Sequence, residues 1–469
     1  MNDKILILLG ESSKSIGIGL EIATRRNLVG CSTTTIKLVS IKYLLFTSFR
    51  LKKFVNKYRR PELNILYVRR RIYKSLRGAI HIVCQIKKKR AISQFDGVDV
   101  LPILKAHFSG ISGTDNIDIA NMQVFKLVLA AWNALASIEI AYKYLKDRDE
   151  LIAFNGRGLV ESSFIAVART FGVKTWLTER GASESKYMIY ASSPHNNLEW
   201  WRNIEKFILD LDDSGKLFEK EVESFLSKKS RGLDMFEKKR WAALMTDPFM
   251  PDYGIQGKEY VVFFSVSTGE VSPFLDFMPS LGFTSQIEAF KKLSDICKIE
   301  NVNIILRRHP NSLGLDGIDR EESMWKETLY GQDHVLYIGP KNKANSYEIA
   351  RGARAVFTWR STIGVDTLHL KIPSFAMGPA KWARHEEVQA FSADSIRARI
   401  QNPGEAFDFA AREFAAYLCN FGEHYRSFKS VDRWGIIDLR NKFIPYNAFH
   451  KITSFARKLT KLFTNNRIN

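Results

Sequence analysis

Six short polar clusters in this chain combine hydroxyl, imidazole, guanidinium and carboxylate groups in patterns suited to holding a phosphorylated ligand and moving a proton. Ser265-Val266-Ser267-Thr268-Gly269-Glu270, Arg307-Arg308-His309-Pro310-Asn311, Asn345-Ser346 and Trp359-Arg360-Ser361-Thr362 followed by Asp366 lie in the second half of the sequence. Asn155-Gly156-Arg157-Gly158 and Thr178-Glu179-Arg180-Gly181 lie in the first. Hydroxyls and free N–H groups at a helix start make a phosphate seat, although Ser361 and Thr362 are equally ordinary N-cap types. An imidazole such as His309 can donate to a phosphate oxygen and stabilise a leaving group, or simply fill a turn before Pro310. Arg307 and Arg308 alternate along a strand end, so at most one faces a ligand and the other pairs locally. Asp366 suits ribose hydroxyls, and also suits the favourable dipole at a helix start. Glu179 is the best-placed carboxylate of the first half. It can serve as general acid, base or nucleophile on a hydroxyl or glycosidic oxygen, or form an ion pair with Arg180 or Arg157. Asn155, Arg180 and the loop residue His195 are candidate contacts to a second ligand.

The elements that must position these groups can be read from hydrophobic periodicity. In the first half, Lys4 to Leu9 reads as a strand, followed by a loop with Gly17 and Gly19, and Asn121 to Leu145 as a helix. Leu151–Phe154, Val160–Phe171 and Val173–Leu177 then make a strand, helix and strand, leaving 155–158 and 178–181 as loops. From Glu259 the alternation is regular: strands at Tyr260–Phe264, Val302–Leu306, Val335–Ile338, Ala355–Thr358 and Ser374–Met377, separated by helices. Such alternation predicts parallel sheets covered on both faces, where ligands sit outside the carboxyl ends of the strands. The fold expected is α/β, with two Rossmann-like domains facing across a cleft and a basic amphipathic helix at the C-terminus. The expected boundaries are 1–197, a helical linker at 198–254, a second domain at 255–430 and a basic helical tail at 431–469.

Several classes are disfavoured. A length of 469 residues exceeds one ordinary core. The Gly17-x-Gly19 pair lacks the third glycine, Ile22 standing in its place, and no acidic residue closes the next strand, so a dinucleotide fingerprint fails. Asp147-Arg148-Asp149 has a metal–nucleotide spacing but precedes a strand, at the wrong end of a sheet; no metal site is expected. Cys31, Cys84, Cys297 and Cys419 form no C-x-x-C pair and are expected to be unpaired thiols of a reducing compartment. The apolar run Ile5 to Leu9 is too short for a signal peptide, and Leu127 to Ile138 is read as a core helix.

The net charge of +20 is regional. Residues 41–90 hold sixteen Lys or Arg against the single Glu62, and 450–469 hold five more bases and no acid. In 447–463, Ile452, Phe455, Leu459 and Leu462 at helical spacing alternate with Lys451, Arg457, Lys458 and Lys461, a basic amphipathic pattern. Two readings stay open: helices docked on the core with a solvated basic face, and contact with an anionic membrane surface. Nucleic acid is disfavoured because its familiar motifs are absent.

Taken together, Phe263 to Glu270 with Gln286, Arg308-His309-Pro310-Asn311, Trp325, Ser346-Tyr347 and Ser361-Thr362-Ile363-Gly364-Val365-Asp366 with Lys371-Ile372-Pro373 resemble the capsule and surface-polysaccharide glycosyltransferases of GT-B type, including bacterial Kdo transferases. Asn155-Gly156-Arg157, Glu179-Arg180-Gly181 and Pro194-His195 are similar to the same group, and the match spans roughly residues 150 to 380. The resemblance implies a metal-independent transferase. Its nucleotide-sugar donor, with CMP-sugars as one candidate, would be held by the second domain through Ser267, Thr268, Glu270, Arg308, His309, Pro310, Asn345, Ser346, Ser361, Thr362 and Asp366. A glycan or glycolipid acceptor would be held by the first through Asn155, Arg180 and His195, with Glu179, His309 and Arg157 acting in catalysis. No cofactor beyond the co-substrate is implied. The expected setting is the cytoplasmic face of a bacterial plasma membrane, with the enzyme attached peripherally through 41–90 and 447–469. Asp366 stands where the family usually has glutamate, and Trp382 and Arg384 where a tyrosine is common. A nucleotide-sugar epimerase or hydrolase on the same fold, and a non-enzymatic protein binding anionic polymer, are the rival readings.

Overall fold

Strands whose residues are apolar without alternation must be covered on both faces, and two such strands organise this chain. A computed structural model of the protein describes residues 3–9, 13–29, 31–39, 65–69, 72–88, 94–112, 117–191, 197–210, 219–230, 258–267, 283, 285–313, 318–383, 392–405, 409–431, 435–439 and 443–445. Its strands are β1 (Lys4–Leu9), β2 (Ser32–Val39), β3 (Ile65–Arg69), β4 (Gln94–Phe95), β5 (Val98–Asp99), β6 (Glu150–Phe154), β7 (Lys174–Arg180), β8 (Lys186–Tyr190), β9 (Tyr260–Phe264), β10 (Asn303–Arg307), β11 (Val335–Ile338), β12 (Ala355–Thr358), β13 (Ser374–Ala376), β14 (Glu423–His424), β15 (Phe428–Val431), β16 (Gly435–Asp438) and β17 (Phe443–Pro445). The chain divides into two units: Met1–Ala106 with Asp118–Pro194 and Phe421–Asn469, and His107–Ile117 with His195–Asn420.

The first unit is built on a seven-stranded sheet in the order β14-β8-β7-β6-β1-β2-β3. It is parallel from β3 to β7, and β8 and β14 extend it antiparallel at one edge. Ile5 to Leu9 of β1 are buried. The helix Ser13–Leu28 follows at once, so Gly17 and Gly19 lie inside a helix and not in a loop. Both are small because of packing. A Cβ on Gly17 would come within 2.7 Å of Val431, and one on Gly19 within 2.4 Å of Leu9.

The helix Val124–Leu145 packs between the helices Ile72–Lys87 and Leu159–Thr170 and buries Leu127, Ala131, Ala134, Leu135, Ile138 and Ala141. By length and composition it is the one helix among the described residues able to cross a membrane. Its buried stripe makes it a core helix here.

The second unit carries a five-stranded, wholly parallel sheet, β11-β10-β9-β12-β13. Every residue of β9 is buried. Each strand predicted in this half is present with its ends within a residue or so, because fully covered parallel strands and their short helices leave the plainest periodicity.

The segments around the sheets differ from expectation. The helices Asn197–Leu209 and Glu219–Ser230 are not a linker: they pack on the helix Phe409–Asn420, with the Trp200 ring 5.5 Å from Tyr417 and 6.2 Å from Phe414. Their Trp and Phe residues are one face of an α-helical layer of the second unit. Residues 428–445 are not helical either. Their described parts, 428–431, 435–439 and 443–445, carry the antiparallel strands β15, β16 and β17, whose Phe428, Val431 and Ile436 pack on the helix Ser13–Leu28. The amphipathic pattern of 447–463 lies outside the described residues.

Glu21 fastens this returning segment. It is fully buried, bonds Arg25 Nε at 2.8 Å, and accepts the backbone N–H groups of Arg426 at 2.8 Å and Ser427 at 2.9 Å. Arg25 in turn reaches Glu423 and the carbonyl of His424, and lies over the Tyr187 ring. Replacing Glu21 by Ala leaves two part-buried backbone hydrogen bonds and a guanidinium without their fully buried acceptor. The expected loss is about 2–4 kcal/mol in the unfolding free energy of the first unit, read from denaturant midpoints of the full chain. A loss below about 0.5 kcal/mol would show that the returning segment is held by its apolar contacts alone.

Candidate functional site

In each unit the strand order reverses direction at one point, and there the loops leaving neighbouring strands part to opposite faces and open a crevice. In the second unit this point lies between β9 and β12; in the first it lies between β1 and β6. The clusters after β9, β12 and β6 sit at these two places, and those of β10, β11 and β7 lie at the same ends of strands further out.

In the second unit Phe264 is level with Arg307 of β10 on one side and Thr358 of β12 on the other. The three polar loops therefore leave strands spaced about 4.8 Å apart. Ser265 ties two of them together. Its N–H donates to the Arg307 carbonyl at 3.0 Å, and its hydroxyl accepts the His309 N–H at 3.0 Å. Gln286 clamps the same turn from behind, accepting from Val266 N–H at 3.0 Å and donating to its carbonyl at 3.3 Å. Thr358 performs the matching task on β12, donating to the Phe264 carbonyl at 3.1 Å and accepting from Ser361 N–H at 2.9 Å. The backbone around His309 and Ser361 is thus fixed by groups that face inward, while the His309 and Ser361 side chains are half-buried and Thr362 is exposed.

Both arginines are engaged locally. Arg307 donates to the carbonyls of Gly339 at 2.7 Å and Asn342 at 3.0 Å and to Ser346 Oγ at 3.4 Å, holding the loop after β11. Arg308 is fully buried on the other side, 3.3 Å from Asp319 and 3.1 Å from Glu321, and over the Trp325 ring. Neither presents an exposed guanidinium. Pro310 opens a single turn of 3-10 helix. Asn345 caps the following helix by accepting from Tyr347 N–H at 2.9 Å, and Ser346 is buried against Arg307. Asp366 is also buried and accepts from the Tyr347 hydroxyl at 3.2 Å, joining two helix starts. Trp382 fills the space over Gly364 and donates to the Ser361 carbonyl at 2.8 Å. Ser267 is buried beside Val266; Thr268, Glu270 and Arg384 lie outside the described residues.

In the first unit β7 runs on to Arg180 and pairs antiparallel with β8, so Glu179 and Arg180 are strand residues and not a loop. The turn of this hairpin, Gly181 to Ser185, lacks the tight two-residue signal that marks hairpins in sequence. Asn155 and Gly156 leave β6 in consecutive left-handed conformations, φ 58° and 79°. A Cβ on Gly156 would also meet Leu177 at 2.9 Å, so both space and backbone require glycine. The turn aims Asn155 sideways: its amide donates to Glu179 Oε2, and its Oδ1 accepts from Arg157 Nε at 2.7 Å. Glu179 Oε1 also accepts from Arg180 N–H at 3.0 Å. Three of the residues singled out in sequence thus form one chain, Arg157 to Asn155 to Glu179. Tyr425, contributed by the returning segment, has its phenol pushed up chiefly by burial, with Glu21, Tyr187 and Glu179 adding to the effect. His195 lies outside the described residues. Asp149 accepts from Lys4 N–H at 2.8 Å at the opposite end of the strands, where it ties the starts of β1 and β6 together.

No protein-family model matches the chain, and no curated protein matches it in sequence. Among solved structures it is similar to the beta Kdo 2,4 transferase KpsC of Thermosulfurimonas dismutans. The identity is 13% and the TM-score 0.37, over 58% of this chain and 79% of that one. It is also similar to the UDP-GlcNAc 2-epimerase of Methanocaldococcus jannaschii in complex with UDP-GlcNAc and UDP (10% identity, TM-score 0.24, 88% of this chain and 98% of that one). A third similar structure is UGT89C1 of Arabidopsis thaliana complexed with UDP-L-rhamnose, at 10% identity and TM-score 0.22 over 89% and 92% of the two chains.

The Arg307 network is open to direct test. Arg307→Lys keeps the charge but loses the planar fork that spans two carbonyls and a hydroxyl. We expect a loss of about 2–3 kcal/mol in stability and faster amide hydrogen exchange at residues 340–347, both measured on the full chain. Unchanged exchange there would mean that the loop is held by its apolar residues.

Proposed function

We propose that this protein is an enzyme that acts on a nucleotide sugar and transfers its sugar to a hydroxyl of a glycan acceptor. The observation that carries the reading is in the second unit: His309 and Ser361 stand on the loops that follow β10 and β12, one on each side of the β9 loop, with their backbones pinned by Ser265 and Thr358. A nucleotide phosphate there would meet an imidazole, two hydroxyls and the N–H groups of the loops. In the transfer, the bond from the sugar carbon to the phosphate oxygen breaks and a bond from that carbon to the acceptor oxygen forms. His309 stabilises the charge that develops on the leaving phosphate, donating a hydrogen bond in its protonated or suitable neutral form. The acceptor hydroxyl loses its proton to a general base.

Within the first unit, Glu179 is the carboxylate whose chemistry suits a proton acceptor. Asn155 and the Arg180 N–H fix both its oxygens, so its orientation is set before any ligand arrives. Arg157 braces the Asn155 amide from its far side, which keeps the donor aimed at the carboxylate. The donor is proposed to be a CMP-sugar or another nucleotide sugar, and the acceptor a surface polysaccharide or its lipid-linked precursor.

Calorimetric titration with CMP, UDP and GDP tests the first half of the reading. One nucleotide should bind selectively, and His309→Ala and Ser361→Ala should each weaken it by about tenfold or more, the loss of a charge-assisted hydrogen bond. Binding of none of the three would sink it. With the donor identified, Glu179→Gln should lower kcat by about 100- to 10,000-fold while leaving nucleotide affinity unchanged.

A further inference from the structure

Outside these clusters, the first turns of the helix Val124–Leu145 expose large apolar side chains that the core does not use. Phe125 is 73% exposed, Val124 55% and Leu129 43%. At 100° per residue the three fall within one side of the helix, and the buried stripe of Leu127, Ala130 and Ala131 occupies the other. An aromatic and two aliphatic side chains exposed within six residues are more than the scattered apolar residues of an ordinary surface.

The surroundings are basic. Lys126 and Lys88 are exposed. Lys87 donates to the carbonyls of Ala120 at 2.7 Å and Met122 at 2.6 Å, which fastens the end of the helix Ile72–Lys87 to the start of this one. That helix belongs to the stretch with sixteen bases against one acid, and Lys89 and Arg90 follow it directly in sequence. Asp118, the nearby acid, is occupied in capping, accepting from Ala120 N–H and the Asn121 amide.

We infer that this turn is a membrane-docking surface: Val124, Phe125 and Leu129 enter the headgroup boundary of an anionic bilayer, and Lys126 and Lys88 contact its phosphates. Apolar side chains ringed by cations match the layered chemistry of such a surface, with acyl chains beneath anionic groups. A second copy of this chain is the poorer occupant, because it would bring an equally basic face against this one. The inference is compatible with a lipid-linked acceptor but stands on the exposed turn, so it can fail while the nucleotide reading holds.

The test uses the full chain and sedimentation with vesicles of phosphatidylcholine, with or without about 30% phosphatidylglycerol, the anionic lipid supplying the surface potential. Wild type should bind the anionic vesicles at least tenfold more tightly than the neutral ones. The double variant Val124→Gln, Phe125→Gln should lose at least tenfold of that affinity while titrating nucleotide and unfolding as wild type does. In a second variant, Phe125→Trp, the fluorescence of the introduced indole should shift to the blue on adding anionic vesicles and be quenched by brominated acyl chains. Unchanged vesicle binding by the double variant would overturn the inference, since the basic segments would then suffice. It would equally be overturned if the emission of the introduced indole were already blue-shifted without vesicles and insensitive to them, because another part of the chain or a second copy would then cover the turn. A wild-type dimer that the double variant abolishes would assign the face to self-association instead.

Discussion

A parallel strand cannot reach its neighbour by a hairpin, so each link must cross a face of the sheet, and handedness sends the links to one face until the strand order reverses. This constraint governs both units. In the second, β9 lies at the centre with β10 and β11 on one side and β12 and β13 on the other, so the loops after β9 and β12 are pushed apart. Everything polar in the site follows from filling that gap. Ser265, Gln286 and Thr358 replace the hydrogen bonds that the ladders no longer supply, and in doing so they fix where His309 and Ser361 stand. The side chains that hold the loops are buried and inward, and those left over are half-buried or exposed.

The same logic explains the two adjacent arginines. Successive residues at a strand end point to opposite faces. Arg307 therefore reaches the loop after β11, and Arg308 reaches the layer that holds Trp325, Asp319 and Glu321. The Arg307 guanidinium serves as a many-armed brace for a stretch of backbone without regular structure, a use to which its five donors are suited, whereas Arg308 pairs with two carboxylates. The burial of Tyr337 near this second cluster pushes its phenol up, an effect that Arg308 partly opposes.

Much of the second unit was legible because its strands are covered on both faces and its helices are short, so apolar runs and polar breaks alternate without ambiguity. The placement of His309 and Ser361 just beyond strand ends was legible for the same reason. Other features depended on contacts between residues far apart in sequence. Gly17 and Gly19 suggested a loop, since glycine weakens a helix, but the helix is stabilised by its packing on Leu9 and Val431. The Trp and Phe residues of 197–230 looked like a linker because their partners, Phe414 and Tyr417, lie some two hundred residues away. Asn155 was read as a ligand contact, and its work as the bridge between Arg157 and Glu179 rests on a left-handed backbone that the Asn-Gly pair permits but does not reveal.

The strand β14 pairs with β8, and between them in the sequence lies nearly all of the second unit. A ribosome makes Tyr187 long before it makes Glu423, its partner in the sheet. Glu21 likewise waits for Arg426 and Ser427, and the hollow over Gly17 waits for Val431. The unit that begins to emerge first is therefore the last to be completed. During synthesis its sheet has an open edge at β8 and an unfilled acceptor at Glu21 until more than two hundred further residues have been added, an interval in which that edge is a natural place for a chaperone or for mispairing.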